Sequence, residues 1–171
     1  MKRMAHKLTV SGRASHFFTA RMPGLVKMIS RREARNFADS DGRRSAKMNG
    51  KPIFRLVVRG RSTGEPRPVM LMLVRRGDDL LVCGSQAGTP DEPNWWKNLV
   101  AAGRAEAQVG DQTWPVDARI LTDAAERAEA WDQLTAAYPD FATYQALTDR
   151  VLPIAVLTPR PLEPGAALDS S

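Results

Sequence analysis

Three apolar runs follow one another so closely that they have one simple arrangement. "PIFRLVV" (residues 52–58), "VMLMLVRR" (69–76) and "LLVCG" (80–84) are separated by the turn-rich "RGRSTGEPRP" and by "GDD". The runs have the length and apolar character of buried strands. A parallel crossover needs a dozen or more residues, and neither connection has them. The three strands are therefore consecutive antiparallel neighbours.

The pattern continues in the same style. "RAEAQVG" and "TWPVDARIL" alternate on either side of Gly110 and Asp111, and "VLPIAVL" supplies a last strand. Between them, "TDAAERAEAWDQLTAAY" opens with Asp123 and Glu126 at capping-box spacing and places Ala125, Ala128, Trp131, Leu134 and Tyr138 at helical intervals. A helix is expected to start near Pro93, and another in "MPGLVKMISRREARNFADSDG", with Pro23 in its first turn and Leu25, Met28, Ile29 and Arg32 on one face. Five or six mainly antiparallel strands with inserted helices close as a small barrel or stay open, and the strand lengths favour closure. The βαβ rhythm of a dinucleotide fold is absent. A chain of 171 residues supports one buried core. The expected division is a basic flexible arm (1–14), one domain (15–159) and a flexible tail (160–171).

Charge is unevenly spread. Residues 1–60 hold 15 Lys and Arg against three acids (Glu33, Asp39, Asp41), a net +12, and the remainder holds 10 against 16, a net −6. A basic third of this kind suits a polyanion or an anionic membrane surface, and Phe17 and Phe18 add apolar area beside Arg21 and Lys27. With no aromatic nucleic-acid signature or recognition helix, nucleic acid is not an expected partner. No apolar run is long enough to span a membrane, the polar "SGRASH" stands where a leader would need an apolar stretch, and the lone Cys83 cannot close an intramolecular disulfide. These features point to the cytoplasm, with peripheral contact to the inner face of the cell membrane as an extension.

Both histidines, His6 and His16, fall in the basic N-terminal region, so the body lacks an imidazole for a Ser/His/Asp relay or a histidine-bound metal, and no metal is expected. The pairs Asp78/Asp79 and Asp91/Glu92 sit in turns as surface charge, Cys83 ends a buried strand, Trp114 and Trp131 suit packing, and Arg119 and Arg127 suit solvent. What remains is an enzyme whose cofactor carries the reactivity, or a binding protein without turnover.

Two loops have ligand-binding character. Arg59, Arg61 and Arg67 surround Ser62, Thr63 and Gly64, combining guanidinium forks, hydroxyls and backbone N–H groups suited to phosphate or carboxylate; the plain alternative is a solvated basic turn. "GSQAG" (84–88) lets a flat ligand approach the backbone and leads to a helix N-terminus; the plain alternative is an ordinary strand-to-helix loop.

Taken together, "GRSTGEPRPVMLMLVRRGDDLLVCGSQAGTPDEPNWWKNLVAAG", "QVG" and "TDAAERAEAWDQLTAAYPDFATYQALTDRVLPIAVLTP" resemble the deazaflavin (coenzyme F420)-dependent nitroreductase family, over roughly residues 15–159. The resemblance implies an α+β, mainly antiparallel fold of the split β-barrel type shared with FMN-binding proteins. It implies hydride transfer from reduced F420 to a quinone, enone or nitroaromatic acceptor, with FMN as the alternative cofactor and non-catalytic binding of deazaflavin, flavin or an apolar ligand as the alternative function. Such barrels occur as monomers or homodimers.

Carried over by position, the resemblance assigns Arg61, Ser62, Thr63, Gly64 and Arg67 to the phosphate and polyglutamate end of the coenzyme. It assigns Met70 and Met72 to the ring pocket, Cys83, Gly84, Ser85 and Gln86 to the deazaflavin and its chain, and Asn94, Trp95, Trp96 and Asn98 to the closing helix. The resemblance places Tyr138 above the ring, where the acceptor is protonated by Tyr138 or by water. Family members commonly have Trp-Tyr where this chain has Trp95-Trp96, and Lys or Asn where it has Gln86. The acceptor-pocket tyrosines are represented by Met72, Phe141 and Tyr144 beside Tyr138. Phe141 cannot donate a proton, which shifts the expected acceptor from nitro compounds toward quinones and enones. Neighbouring helical positions diverge by about 100 degrees, so Trp95 and Trp96 cannot share one role, and Trp95 is the expected cofactor contact.

Overall fold

The computed structural model describes residues 9–22, 32, 34–40, 47–48 and 50–161. Helix α1 (Val10–Arg21) comes first, and residues 34–38 are helical (α2). The strands are β1 (Lys47–Met48), β2 (Lys51–Arg59), β3 (Pro66–Met72), β4 (Val74–Arg76), β5 (Asp79–Cys83), β6 (Arg104–Val109), β7 (Gln112–Ile120) and β8 (Ile154–Pro159). Helix α3 (Asn94–Ala102) lies between β5 and β6, and α4 (Ala124–Ala137) and α5 (Asp140–Ala146) lie between β7 and β8.

All strand pairs are antiparallel. The main path runs β1-β2-β6-β7-β8-β5-β4, and β3 pairs with the other side of β2. Leu73 alone separates β3 from β4, so one bent strand pairs with β2 through its first half and with β5 through its second. That strand closes the barrel and splits it at the bend. The expected run at 69–76 is thus two pieces, and it starts earlier, at Pro66. Pro66 and Pro68 stand two positions apart, which directs both missing N–H groups to the side away from β2.

Alternation sorts the strands into two cores. Phe54, Leu56, Val58, Leu80, Val82, Ala155 and Leu157 face the barrel interior, where Trp96 and Leu99 of α3 join them. Burying Leu99 contributes about 2 kcal/mol. Ile53, Met70, Met72, Leu81, Cys83, Ile154 and Val156 face outward and are covered by Ala34 and Phe37 of α2, Ala130 and Leu134 of α4, and Phe141 and Tyr144 of α5.

The helices depart from the sequence reading in instructive ways. The N-terminal arm expected at 1–14 gives way to helix from Val10, because the Thr9 hydroxyl caps Gly12 N–H at 3.1 Å and also bonds the Asp140 carboxylate. Ser11 donates to the same carboxylate at 2.9 Å, and Thr9 N–H donates to Thr143 Oγ1 at 2.9 Å. Of the helix expected from Pro23, the face formed by Leu25, Met28 and Ile29 lies outside the described residues, and Arg32 is exposed. In α4, Asp123 Oδ1 accepts from Glu126 N–H at 2.8 Å as the capping box requires. The Glu126 side chain instead takes Arg119 in two bonds (2.7 and 2.8 Å) and Arg76 in one (3.1 Å). The buried stripe of α4 runs through Ala130 and Leu134, with Trp131 half-buried and Ala125 and Ala128 exposed. Alanine fits either face, so it did not fix the rotation.

Candidate functional site: the 59–67 hairpin, the Gly84–Thr89 loop and three aromatic rings

The basic hairpin is closed by backbone bonds from Gly60 N–H to Glu65 O (2.8 Å) and from Gly64 N–H to Gly60 O (2.7 Å), with Gly64 at φ +69°. Ser62, Thr63 and Gly64 are exposed at its tip, and Thr63 Oγ1 accepts from Arg67 Nη2 at 3.4 Å. Arg67 also pairs with Glu65 at 2.8 Å, and Arg59 donates to Gly64 O at 3.2 Å. Arg61 points to α3, donating from Nη1 to Asn98 Oδ1 at 2.9 Å and from Nη2 to Asn94 Oδ1 at 3.5 Å. Asn98 is buried, so this amide fixes both the arginine and the hairpin against the helix.

The second loop leaves β5 at Cys83. A Cβ on Gly84 would lie 2.9 Å from the Trp96 ring, so only glycine lets the loop pass that indole. Gln86 and Ala87 take left-handed backbone conformations (φ 44° and 52°), an uncommon choice for residues with side chains. Gln86 O accepts both the N–H and the hydroxyl of Thr89, each at 3.1 Å. Ala87 packs against the outer core, which contains Met70, Met72, Cys83, Tyr138, Phe141 and Tyr144. Tyr138, Phe141 and Tyr144 form a cluster with centroid separations of 5.3 to 6.4 Å, and the Tyr138 and Tyr144 hydroxyls are 3.5 Å apart. Burial pushes the Tyr144 phenol above its ordinary pKa, against hydrogen bonds from Tyr138 and Ser15 that lower it. Burial likewise pushes the Cys83 thiol up to about 12, so it is a packing group and not a thiolate nucleophile.

The residues singled out in the sequence fall into two groups: Arg61 is held to α3 by Asn94 and Asn98, and Ala87 packs on the outer core that contains Met70, Met72, Cys83 and Tyr138. Trp95 is half-buried, whereas Trp96 is 2% exposed in the barrel interior, edge-on to Trp95 at 5.6 Å. The Trp96 ring packs in the core, which leaves Trp95 as the more accessible of the two rings. Several neighbours were missed. His16, set aside with the arm, places Nδ1 2.8 Å from Ala87 O. Arg127 donates to Leu152 O at 2.6 Å, so it is not simply a solvated charge, whereas Arg119 is exposed as expected and pairs with Glu126 at the surface. Arg150, unnoticed in sequence, bonds three carbonyls of the Gly84–Thr89 loop. Its partners stand 61 to 66 residues away, and no local pattern announces them.

Solved structures with the same architecture define the class. A structure described as an F420-H2 dependent reductase (FDR-A) is 34% identical, with a TM-score of 0.58 over 62% of this chain and 93% of that one. Another, described as a domain-swapped dimer, is 30% identical, with a TM-score of 0.61 over 74% of this chain and 95% of that one. The fold is the split β-barrel of F420-dependent reductases. The model of the F420H(2)-dependent quinone reductase family matches residues 29–159, and the chain belongs to that family. F420H(2)-dependent quinone reductase Rv1261c of Mycobacterium tuberculosis is 30% identical over 127 residues, covering 72% of this chain and 85% of its own length. Membership makes the chain an oxidoreductase that uses coenzyme F420.

Proposed function

We propose that this chain reduces a quinone-type acceptor with F420H2 and that the assembled loops form its coenzyme site. The observation that carries the reading is the packing of Ala87 in the left-handed loop against the outer core, the cluster that contains Met70, Met72, Cys83 and Tyr138. A flat heterocycle suits such a wall. Arg61 and Arg67, with Ser62, Thr63 and Gly64, take the anionic end of the coenzyme. Gly84, Ser85 and Gln86 meet the ring side, and Asn94, Trp95 and Asn98 close it from α3. Reduced F420, when bound, supplies the hydride. The chain's part is to orient, to exclude water and to hold a proton. Tyr138 is the group that gives the acceptor oxygen its proton, with Tyr144 kept protonated 3.5 Å behind it. Phe141 brings no hydroxyl, which favours quinones and enones over nitroaromatics.

Two wider properties accompany this reading. Helix α1 exposes Val10, Phe17, Phe18 and Met22 beside Arg13 and Arg21, with the Arg21 guanidinium 5.5 Å from the Phe17 ring centroid. Apolar rings beside cations suit weak attachment to an anionic membrane surface, where lipid-soluble quinones reside, for a protein of the cytoplasm. A homodimer is the assembly suggested by the domain-swapped relative.

Titration with oxidised F420, followed by tryptophan fluorescence with FMN as control, tests the site. Turnover of F420H2 with menadione then tests the reaction. No quenching by F420 removes the coenzyme reading, and binding without turnover returns the carrier alternative.

A further inference from the structure

Arg150 lies in the loop between α5 and β8. Its Nη1 donates to Gly84 O at 3.0 Å, its Nη2 to Ser85 O at 2.6 Å and its Nε to Thr89 O at 2.9 Å. One planar guanidinium thus gathers three carbonyls from both ends of the six-residue loop, a task for which a lysine ammonium has no matching geometry. Its own segment is clamped to α5: Gln145 Nε2 donates to Arg150 O at 2.8 Å, and Gln145 Oε1 accepts from Leu152 N–H at 3.0 Å.

The consequence lies on the opposite side of the peptide planes. In a trans peptide the N–H points away from the preceding carbonyl. Ser85 O is held by Arg150 and by Gly88 N–H (2.9 Å), and Gln86 O by Thr89. The Gln86 and Ala87 N–H groups therefore face away from these bonds, and neither donates to an acceptor among the described residues. Successive N–H groups around a left-handed residue make a concave donor pair suited to an oxygen or an electron-rich nitrogen.

We propose that Arg150 is a positioning residue that turns the Gln86 and Ala87 N–H groups toward the coenzyme ring, where they hydrogen-bond a ring carbonyl or anionic ring nitrogen. This rests on the reading that Ser85 and Gln86 meet the deazaflavin. Because Gln145 sits one residue after Tyr144, the same clamp fixes the coenzyme loop relative to the helix of Phe141 and Tyr144.

The test uses the full chain with R150M and R150K, reading amide exchange without coenzyme, F420 affinity by fluorescence, and KM for menadione. In R150M, exchange at Gly88 and Thr89 accelerates while β5 and β8 keep their protection, and the Kd for F420 rises about tenfold, the scale of losing one charge-assisted hydrogen bond. KM for menadione stays unchanged, and R150K, which keeps the charge but not the fork, falls between. If R150M does not fold, R150K carries the same comparison. Wild-type affinity in both variants overturns the proposal whether or not exchange changes. Global loss of protection in step with lost affinity overturns it also, because the arginine is then a general structural support. Absence of F420 binding to the wild-type chain is a separate result that removes the coenzyme reading and this role with it.

Discussion

A Cβ on Gly88 would lie 2.5 Å from the carbonyl oxygen of Tyr144, so the loop after β5 and helix α5 meet backbone to backbone. Gly88 is also at φ +74°, where a side chain is strained on its own account. Gly88→Ala is expected to cost about 1–3 kcal/mol of stability, because left-handed strain and overpacking act together. Chemical denaturation measures the loss, and F420 affinity should fall with it even at temperatures where the variant remains folded.

Glu126 joins α4 to two strands through Arg119 and Arg76, and these contacts, the Arg119 hydrogen bond first, lower its pKa to about 2. A depressed carboxylate stabilises the fold above its unfolded pKa of about 4.3. That contribution is lost as pH falls through the folded value. Glu126→Gln should therefore reduce the denaturation midpoint by a constant amount above about pH 5, with the difference from wild type closing toward about pH 2. A midpoint difference independent of pH would show that the ion pairs are not its source.

Phe141 is the third ring of the aromatic cluster, with centroids 5.3 Å from Tyr138 and 6.2 Å from Tyr144. Phe141→Tyr adds a donor there without changing the ring. Nitroaromatic turnover should rise relative to menadione turnover, while F420 affinity stays within about twofold, since an added hydroxyl alone discriminates weakly. Steady-state kinetics with both acceptors decides it.

Arg61 is tied to α3 by Asn98, whereas Arg67 is tied only within its own hairpin. Both substitutions to Ala should weaken F420 binding and reduce its dependence on salt. Arg61→Ala should be the more severe, because it removes the 2.9 Å donor of the buried Asn98 oxygen and leaves it only the backbone N–H of residue 61 at 3.3 Å, a loss of about 1 kcal/mol. Titrations at several ionic strengths, with thermal melts alongside, separate the two effects.

The parts legible in the sequence were those governed by local spacing. Alternation at Phe54, Leu56 and Val58 marked the barrel wall, the short connections fixed its antiparallel sense, and Asp123 marked the start of α4. The hairpin arginines and the Gly84–Gln86 loop were visible through their composition. What stayed hidden depended on contacts distant in the chain. Arg150 meets carbonyls that carry no side-chain signal, and α1 docks by pairing Thr9 and Ser11 with Asp140 and Thr143, ordinary polar residues whose partners stand more than a hundred positions away. The helical divergence of Trp95 and Trp96 was also legible, since neighbouring positions cannot share one face, and Trp96 is the ring that turns inward.

Ahead of the bend at Leu73, one side of β3 has no strand partner among the described residues, the kind of edge on which amyloid-like growth begins. Pro66 and Pro68 remove donors from that side, and the charge of Arg67 stands between them. The seam that opens the barrel is thus also its guarded flank against self-association of misfolded chains.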